Sequence, residues 1–240
     1  MSFRFKQFYI EDSKCAMKVG TDGVLLGAWS PITYHHSPFT NAPFRVLDIG
    51  TGSGLIARML MQRCPEAEVE GIDIDEASVE QARENGVKAY CSSLQDWHND
   101  QSPITNHQYD LVVSNPPYFQ NSLKNPDESR KTARHTDSLS YEDLVKHSAR
   151  LLKDGGQLAL ILPAEAEAEI RQLAATENLF LTHVTRVFSK ESKPARRVLM
   201  AFSRDTGIPG YRYTEDTLIL ENETGGRSAA YSELCREFYL

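Results

Sequence analysis

The sequence predicts an α/β fold, a mostly parallel seven-stranded sheet with helices on both faces and an antiparallel hairpin at one edge. Three observations predict it. From Arg45 onward, short β-rich runs alternate with amphipathic helical patterns, the rhythm of βαβ units. A glycine-rich turn, Gly50-Thr51-Gly52-Ser53-Gly54, joins the first of those runs to a helical segment. Two late β-rich runs, Phe180 to Phe188 and Arg197 to Phe202, are separated only by the polar segment Ser189 to Arg196, as the strands of an antiparallel hairpin are.

The elements follow in order. Strands are expected at Arg45 to Ile49, Val69 to Ile74, Val87 to Cys91, Tyr109 to Ser114 and Gln157 to Leu162, ahead of the hairpin. Helical patterns cover Leu55 to Gln62, the segment opened by Asp75-Glu76-Ala77-Ser78, and Ala164 to Ala175. Asp75 stands where an N-cap belongs. The tail reads as a short strand at Thr217 to Leu220 and a helix from Ser228. Pro31 to Pro43 and Asn99 to His107 look like connections. Between Asn115 and Ser140 a polar run with Pro116, Pro117 and Pro126 follows a strand directly. Ligands of open α/β sheets sit at the carboxyl ends of strands, so this loop is a candidate substrate lid.

Composition narrows the class. The 240 residues are 40% hydrophobic and 25% charged, without repeats, enough for one large core. Cys15, Cys64, Cys91 and Cys235 form no C-x-x-C pair, so reduced thiols in a cytoplasmic protein are expected. The opening Met1 to Ile10 has no continuous apolar run, and no segment reaches the roughly 20 apolar residues of a membrane span. Neither signal peptide nor membrane partner is expected. The seven histidines show no metal-ligand spacing, and no metal is expected. The net charge of −7 argues against a general phosphate-driven nucleic-acid binder. Yet His183 to Arg204 holds six basic residues, Arg186, Lys190, Lys193, Arg196, Arg197 and Arg204, against Glu191 alone. Such a strip on an acidic body suits a selective RNA contact, although a solvated hairpin face would look the same.

The glycine turn leaves a buried strand, Val46-Leu47-Asp48-Ile49, and opens a helix. Its backbone can approach a ligand closely, with a helix N-terminus behind it. Asp73 ends the next strand, 23 residues after Gly50, where an acid accepts hydrogen bonds from both hydroxyls of a ribose. A dinucleotide site, or an ordinary tight β-to-α turn, shares much of this. Two details favour S-adenosylmethionine as cofactor. The spacing is G-x-G-x-G, with Leu55 where the dinucleotide fingerprint needs its third glycine. Asp48, two residues ahead, is awkward beside a pyrophosphate but favourable beside the ammonium and sulfonium of that cofactor. The candidate cofactor residues are Asp48, Gly50, Thr51, Gly52, Gly54 and Asp73. Ser93 and Leu94, with Ser92, occupy the place where such a fold brackets an adenine ring.

At the end of the fourth strand stands Ser114-Asn115-Pro116-Pro117-Tyr118. Consecutive prolines fix two φ angles and remove two donors, leaving rigid carbonyl acceptors. Asn-Pro also starts simple turns, but one placed beyond a cofactor loop points to chemistry. If the Asn115 side-chain oxygen and the Pro116 carbonyl each accept a hydrogen from an sp² amine, its lone pair is freed for an in-line displacement driven by positioning. Tyr118 would stack on the target base.

Together these residues resemble the class I S-adenosylmethionine methyltransferases of Rossmann-like fold, and among them the amino-methyltransferases with the N/D-P-P-Y/F signature. Phe3 to Phe8, Met17 to Trp29, the Asn-Pro-Pro-Tyr turn and Arg197 to Phe202 narrow the likeness to the bacterial valine-tRNA adenine-37 N6-methyltransferases. It covers nearly the whole chain. It implies one methyltransferase domain: residues 1–44 packing over the cofactor, a catalytic core at 45–204 and a C-terminal extension at 205–240. It further implies Thr21 and Asp22 as cofactor neighbours, although Asp22 could equally cap a helix. The implied partner is the anticodon stem-loop of a tRNA, met by Lys190, Lys193, Arg196 and Arg197. Relatives often carry an acid near the cofactor's adenine amine where this chain has Ser93, leaving that contact to backbone or Asp96. Protein-glutamine N5 and ribosomal-RNA amine methyltransferases use the same turn. The former carry a separate N-terminal helical domain, whereas about 44 residues precede the first strand here. A non-catalytic RNA-binding or chaperone module would need none of Asp48, Asp73 and Asn115.

Overall fold

The computed structural model describes residues 2–32, 43–97, 109–117, 139–204 and 213–240. Most of the two polar connections and of the candidate lid lie outside them, as does Tyr118. A two-stranded antiparallel hairpin, β1 (Ser2–Arg4) and β2 (Tyr9–Glu11), comes first, then α1 (Thr21–Trp29). Neither strand of that hairpin has the length or alternation of a strand signal. The alternating part is β3 (Arg45–Ile49), α2 (Leu55–Arg63), β4 (Glu68–Asp73), α3 (Glu76–Glu84), β5 (Lys88–Cys91) and β6 (Tyr109–Ser114). Next come α4 (Tyr141–Leu151), β7 (Leu152–Pro163), a single 3-10 turn, α5 (Glu167–Thr176), β8 (Phe180–Phe188) and β9 (Ala195–Ser203). The chain ends with β10 (Thr214–Ile219) and α6 (Ala229–Leu234).

The main sheet has eight strands, in the order β10-β8-β9-β7-β6-β3-β4-β5, rather than the seven expected. The addition is β10, which pairs in parallel with β8. The β8–β9 hairpin is therefore one strand in from the edge. As an edge strand β10 buries little besides Leu218, which is why it carries a weak pattern. The β3, β4, β5, β6 and β7 pairings are all parallel, and only β9 runs against its neighbours.

Alternation along the strands feeds two cores. Leu158, Leu160 and Leu162 of β7 face one cluster with α4 and α5, while Ala159 and Ile161 face the other with α1, α2, α3, α6 and the N-terminal hairpin. Burial on both faces explains the near-continuous apolar runs of the central strands. After β5 the chain crosses to β6 on the other side of β3, so a crevice opens above the carboxyl ends of β3 and β6, the switch point where ligands of such sheets bind. Among the described residues, no helix is long and apolar enough to cross a membrane.

Candidate active site

A cavity of about 820 Å³ occupies that crevice. The glycine turn, the end of β4, Ser92 to Gln95 after β5, and Asn115, Pro116 and Pro117 after β6 all line it, with Ala16 to Gly23 forming a further wall.

The turn is held from below and from the side. The Gly50 and Thr51 amides both donate to the Ile72 carbonyl, at 2.9 and 3.0 Å, and the Gly52 amide donates to Asp73 Oδ2 at 2.9 Å. Gly50, Gly52 and Gly54 have φ of 69°, 54° and 79°, a region that costs other residues energy. Gly50, Thr51 and Gly52 line the cavity, but Gly54 does not. A Cβ at Gly54 would stand 2.7 Å from Val87 Cγ2, so this glycine serves backbone geometry and packing rather than ligand contact.

Asp48 also departs from expectation. Alternation puts it on the Val46 side of β3, beneath α2, where it is 0% exposed and does not line the cavity. Its Oδ2 accepts from the Thr51 hydroxyl at 2.8 Å and the Ala57 amide at 3.3 Å. Gly54, the N-cap of α2, has no side chain to cap it, and Asp48 supplies that acceptor from the neighbouring strand. Burial pushes its carboxyl up to about 7, against the pull of those two bonds. Asp48 thus shapes the turn from below, with its carboxylate outside the cavity wall.

Asp73 does line the cavity. Besides Gly52, its carboxylate accepts from the Asp75 amide at 3.0 Å. Asp75 caps α3 as expected, accepting from Ser78 N at 3.1 Å and Ser78 Oγ at 2.7 Å, and the Ser78 hydroxyl lowers its pKa. Ser93 and the buried Leu94 are also in the wall. The Ser93 hydroxyl donates to Asp96 Oδ2 at 2.6 Å and accepts from the Asp96 amide. Asp96 itself does not line the cavity.

On the opposite side, the Ser114 hydroxyl donates to the Ile49 carbonyl at 2.9 Å, locking the end of β6 to that of β3. This puts Asn115, Pro116 and Pro117 in the same cavity as the glycine turn.

Residues 37–185 match the methyltransferase small domain family. Across nearly its full length the chain is 39% identical over 246 residues to a tRNA1(Val) (adenine(37)-N6)-methyltransferase of Bacteroides fragilis, covering 99% of this chain and 97% of that one. A protein of the same description from Porphyromonas gingivalis is 42% identical over 245 residues, covering 99% and 94%. The chain belongs to this methyltransferase family. Among solved structures, a predicted O-methyltransferase from Agrobacterium tumefaciens superposes with a TM-score of 0.64 at 18% identity, over 90% of this chain and 96% of that one. At that identity the likeness shows the class I fold alone.

In this methyltransferase the N-terminal wall is fastened by Lys18, Asp12 and Asn85. Lys18 Nζ donates to the carbonyls of Asp12 and Cys15, at 2.7 and 2.8 Å, and Asp12 Oδ2 accepts from the Val19 amide. Asn85, after α3, donates through Nδ2 to the carbonyls of Glu11 and Ser53, at 2.7 and 2.8 Å, joining the hairpin to the glycine turn. By pattern alone Asn85 is an ordinary helix terminus. The wall also includes Thr21 and Asp22. Asp22 is not the cap of α1, whose N-cap is Gly20; it accepts from Arg197 Nε at 2.9 Å.

The basic strip is largely neutralised. Arg186 pairs with Glu167 and Glu215, Lys190 with Glu221, Arg197 with Asp22 and Arg204 with Asp154. Lys193 and Arg196 are exposed and, among the described residues, in no ion pair. Both sit where β8 hands over to β9. Since β8 runs parallel to β7, they lie on the same sheet edge as Asn115.

Proposed function

We propose that this chain transfers a methyl group from S-adenosylmethionine to N6 of adenine 37 in tRNA1(Val). The observation that carries this reading is the placement of Asn115, Pro116 and Pro117 in one cavity with the glycine turn and Asp73. That cavity also fits the cofactor. Asp73 offers a carboxylate for ribose hydroxyls, Ile72, Ile74 and Leu94 offer apolar walls for an adenine, and the left-handed glycines bring the backbone close. Bound there, the cofactor supplies an electrophilic methyl on a sulfonium.

The chain's own residues do the rest. The Asn115 side-chain oxygen and the Pro116 carbonyl accept the two hydrogens of the exocyclic amine, drawing its lone pair out of conjugation and fixing its direction. Pro116 and Pro117 have no N–H to compete for those acceptors. Tyr118 stacks on the extruded base. Lys193 and Arg196, with Lys190 at their side, meet the backbone of the anticodon stem-loop. The names of the relatives supply the nucleotide, and the turn supplies the planar amine.

The test is methylation by purified protein of a tRNA1(Val) transcript and of the same transcript with guanosine at position 37, read by nucleoside mass spectrometry. N6-methyladenosine is expected from the first alone. Asn115→Ala should lower turnover by about 100-fold or more, as losing a charge-stabilising polar contact does, with cofactor Kd changed less than about twofold. Equal methylation of both transcripts, or methylation of a glutamine peptide instead, overturns the reading.

A further inference from the structure

Arg197 reads from sequence as one more phosphate ligand, but its guanidinium is engaged twice. Nε donates to Asp22 Oδ2 at 2.9 Å and Nη1 donates to the Arg196 carbonyl at 2.9 Å. The two partners belong to different parts of the molecule. Asp22 is in the first turn of α1 and lines the cavity, while Arg196 is the residue just before Arg197 near the start of β9. A span of 175 residues separates Asp22 from Arg197.

The rest of α1 is fastened elsewhere. Its middle is buried from Gly23 to Ala28, with Gly23 and Gly27 packed so closely on α2 that a Cβ there would stand 3.0 Å from Leu55 and 2.7 Å from Met59. At its far end, Trp29 Nε1 donates to Thr185 Oγ1 at 2.8 Å and Arg63 Nη1 donates to the Gly27 and Ser30 carbonyls. The cavity end has no such support from its own cap, since Gly20 contributes no side-chain bond.

We propose that Arg197 is a positioning residue: it holds the Thr21–Asp22 turn of α1 in the cofactor wall through Asp22, and does not serve as a ligand of RNA phosphate. This rests on the reading of the cavity as a cofactor site. The planar guanidinium matters as much as the charge, because it bonds Asp22 through Nε while Nη1 is steadied on the Arg196 carbonyl of its own strand, a geometry that the point charge of lysine does not reproduce. The two roles therefore separate cleanly under substitution. A phosphate ligand tolerates lysine, whereas an oriented Nε bond from β9 to Asp22 of α1 does not.

The experiment compares Arg197→Lys and Arg197→Ala with the wild type in three measurements: S-adenosylmethionine and S-adenosylhomocysteine affinity by calorimetry without RNA, tRNA affinity across a salt series, and melting temperature. Cofactor Kd should rise about tenfold in both variants, the equivalent of one hydrogen bond to a charged group. The salt slope should stay within experimental error of the wild type. Melting should fall by less than about 4 °C, as expected for a part-exposed pair in a chain of this size. In an Asp22→Asn background, Arg197→Ala should add less than about twofold to the cofactor Kd, since the partner is already gone. A lysine variant that binds cofactor like the wild type overturns the inference, as does an alanine variant whose salt slope falls by about one phosphate contact. If the wild type itself binds neither cofactor, the cofactor reading of the cavity fails, and the two failures are told apart.

Discussion

Asp48 makes a prediction whose sign runs against the usual behaviour of an aspartate. It is 0% exposed, Oδ2 carries both of its hydrogen bonds, and Oδ1 meets no donor. Burial raises its pKa from 3.8 to about 7. Below about pH 4 both folded and unfolded chains keep the proton, so nothing is lost. Between about 4 and 7 the unfolded chain releases a proton that the fold retains, and stability falls as pH rises. Above about 7 both forms are ionised and the loss is complete. Each pH unit in that window costs about 1.4 kcal/mol, and the whole window about 4 kcal/mol. Asp48→Asn removes the ionisation while keeping the shape and one acceptor oxygen. Urea unfolding at pH 5, 6, 7 and 8 should show wild-type stability, relative to the Asn variant, falling by about 1.4 kcal/mol per unit up to pH 6 to 7 and levelling off beyond. A constant offset from the new amide does not matter, because the slope is what is read. Parallel stability profiles for the two proteins would refute the argument, since they would mean Asp48 ionises in the fold as it does in water.

Other perturbations separate contact from support in the same cavity. Gly54→Ala meets both a φ of 79° and Val87 Cγ2 at 2.7 Å, so it should destabilise by about 2 to 4 kcal/mol, whereas Gly52→Ala, with nothing within 4 Å of its Cβ, should cost only about 1 to 2 kcal/mol; chemical denaturation ranks them. Asp73→Ala removes the acceptor of the Gly52 and Asp75 amides and should weaken cofactor binding by about tenfold or more in calorimetry, with unchanged affinity removing Asp73 from the site. Lys193→Ala with Arg196→Ala should lower the salt slope of tRNA binding by about 1.5 to 2, one contact each; an unmoved slope would place the RNA elsewhere.

The parallel core was legible because its signal is redundant. In β3 and β6, apolar runs and the glycine or proline turns that follow them agree, and the structure starts or stops most strands within a residue or two of the pattern. The Asp75 cap was equally plain, since an N-cap is a local matter of a few residues. What escaped depends on direction or on distance. Gly54 and Gly52 look alike in sequence, yet one backs onto Val87 and the other faces the cavity. The place of Asp48 follows from the strand's alternation: counted from Val46 by twos, it falls on the α2 face of the sheet, beneath the turn. β7 begins at Leu152, five residues before the apolar run, because Lys153 to Gly156 are too polar and glycine-rich to register as strand. The wall of Ala16 to Val19, the Asn85 bridge and the Asp22–Arg197 pair join residues far apart in sequence, and local patterns hold no trace of such contacts.

The ion pairs also change what the basic strip means. Six cations in 22 residues on a chain of net charge −7 look like a phosphate-binding surface, but four of them have carboxylates within reach, at Glu167, Glu215, Glu221, Asp22 and Asp154. A cation with a carboxylate beside it offers a phosphate less net attraction, because the carboxylate repels the incoming anion. On the function proposed above, the charge-driven share of RNA binding therefore rests mainly on Lys193 and Arg196, and a salt slope near two is what two contacts produce. So small a charge-driven share leaves most of the affinity for RNA to contacts that salt does not screen. On that same function, the exocyclic amine of the extruded base, bonded by Asn115 and Pro116, both in the cavity wall, is such a contact. Discrimination among RNAs then follows the cost of extruding that base, which is lowest in an unpaired loop.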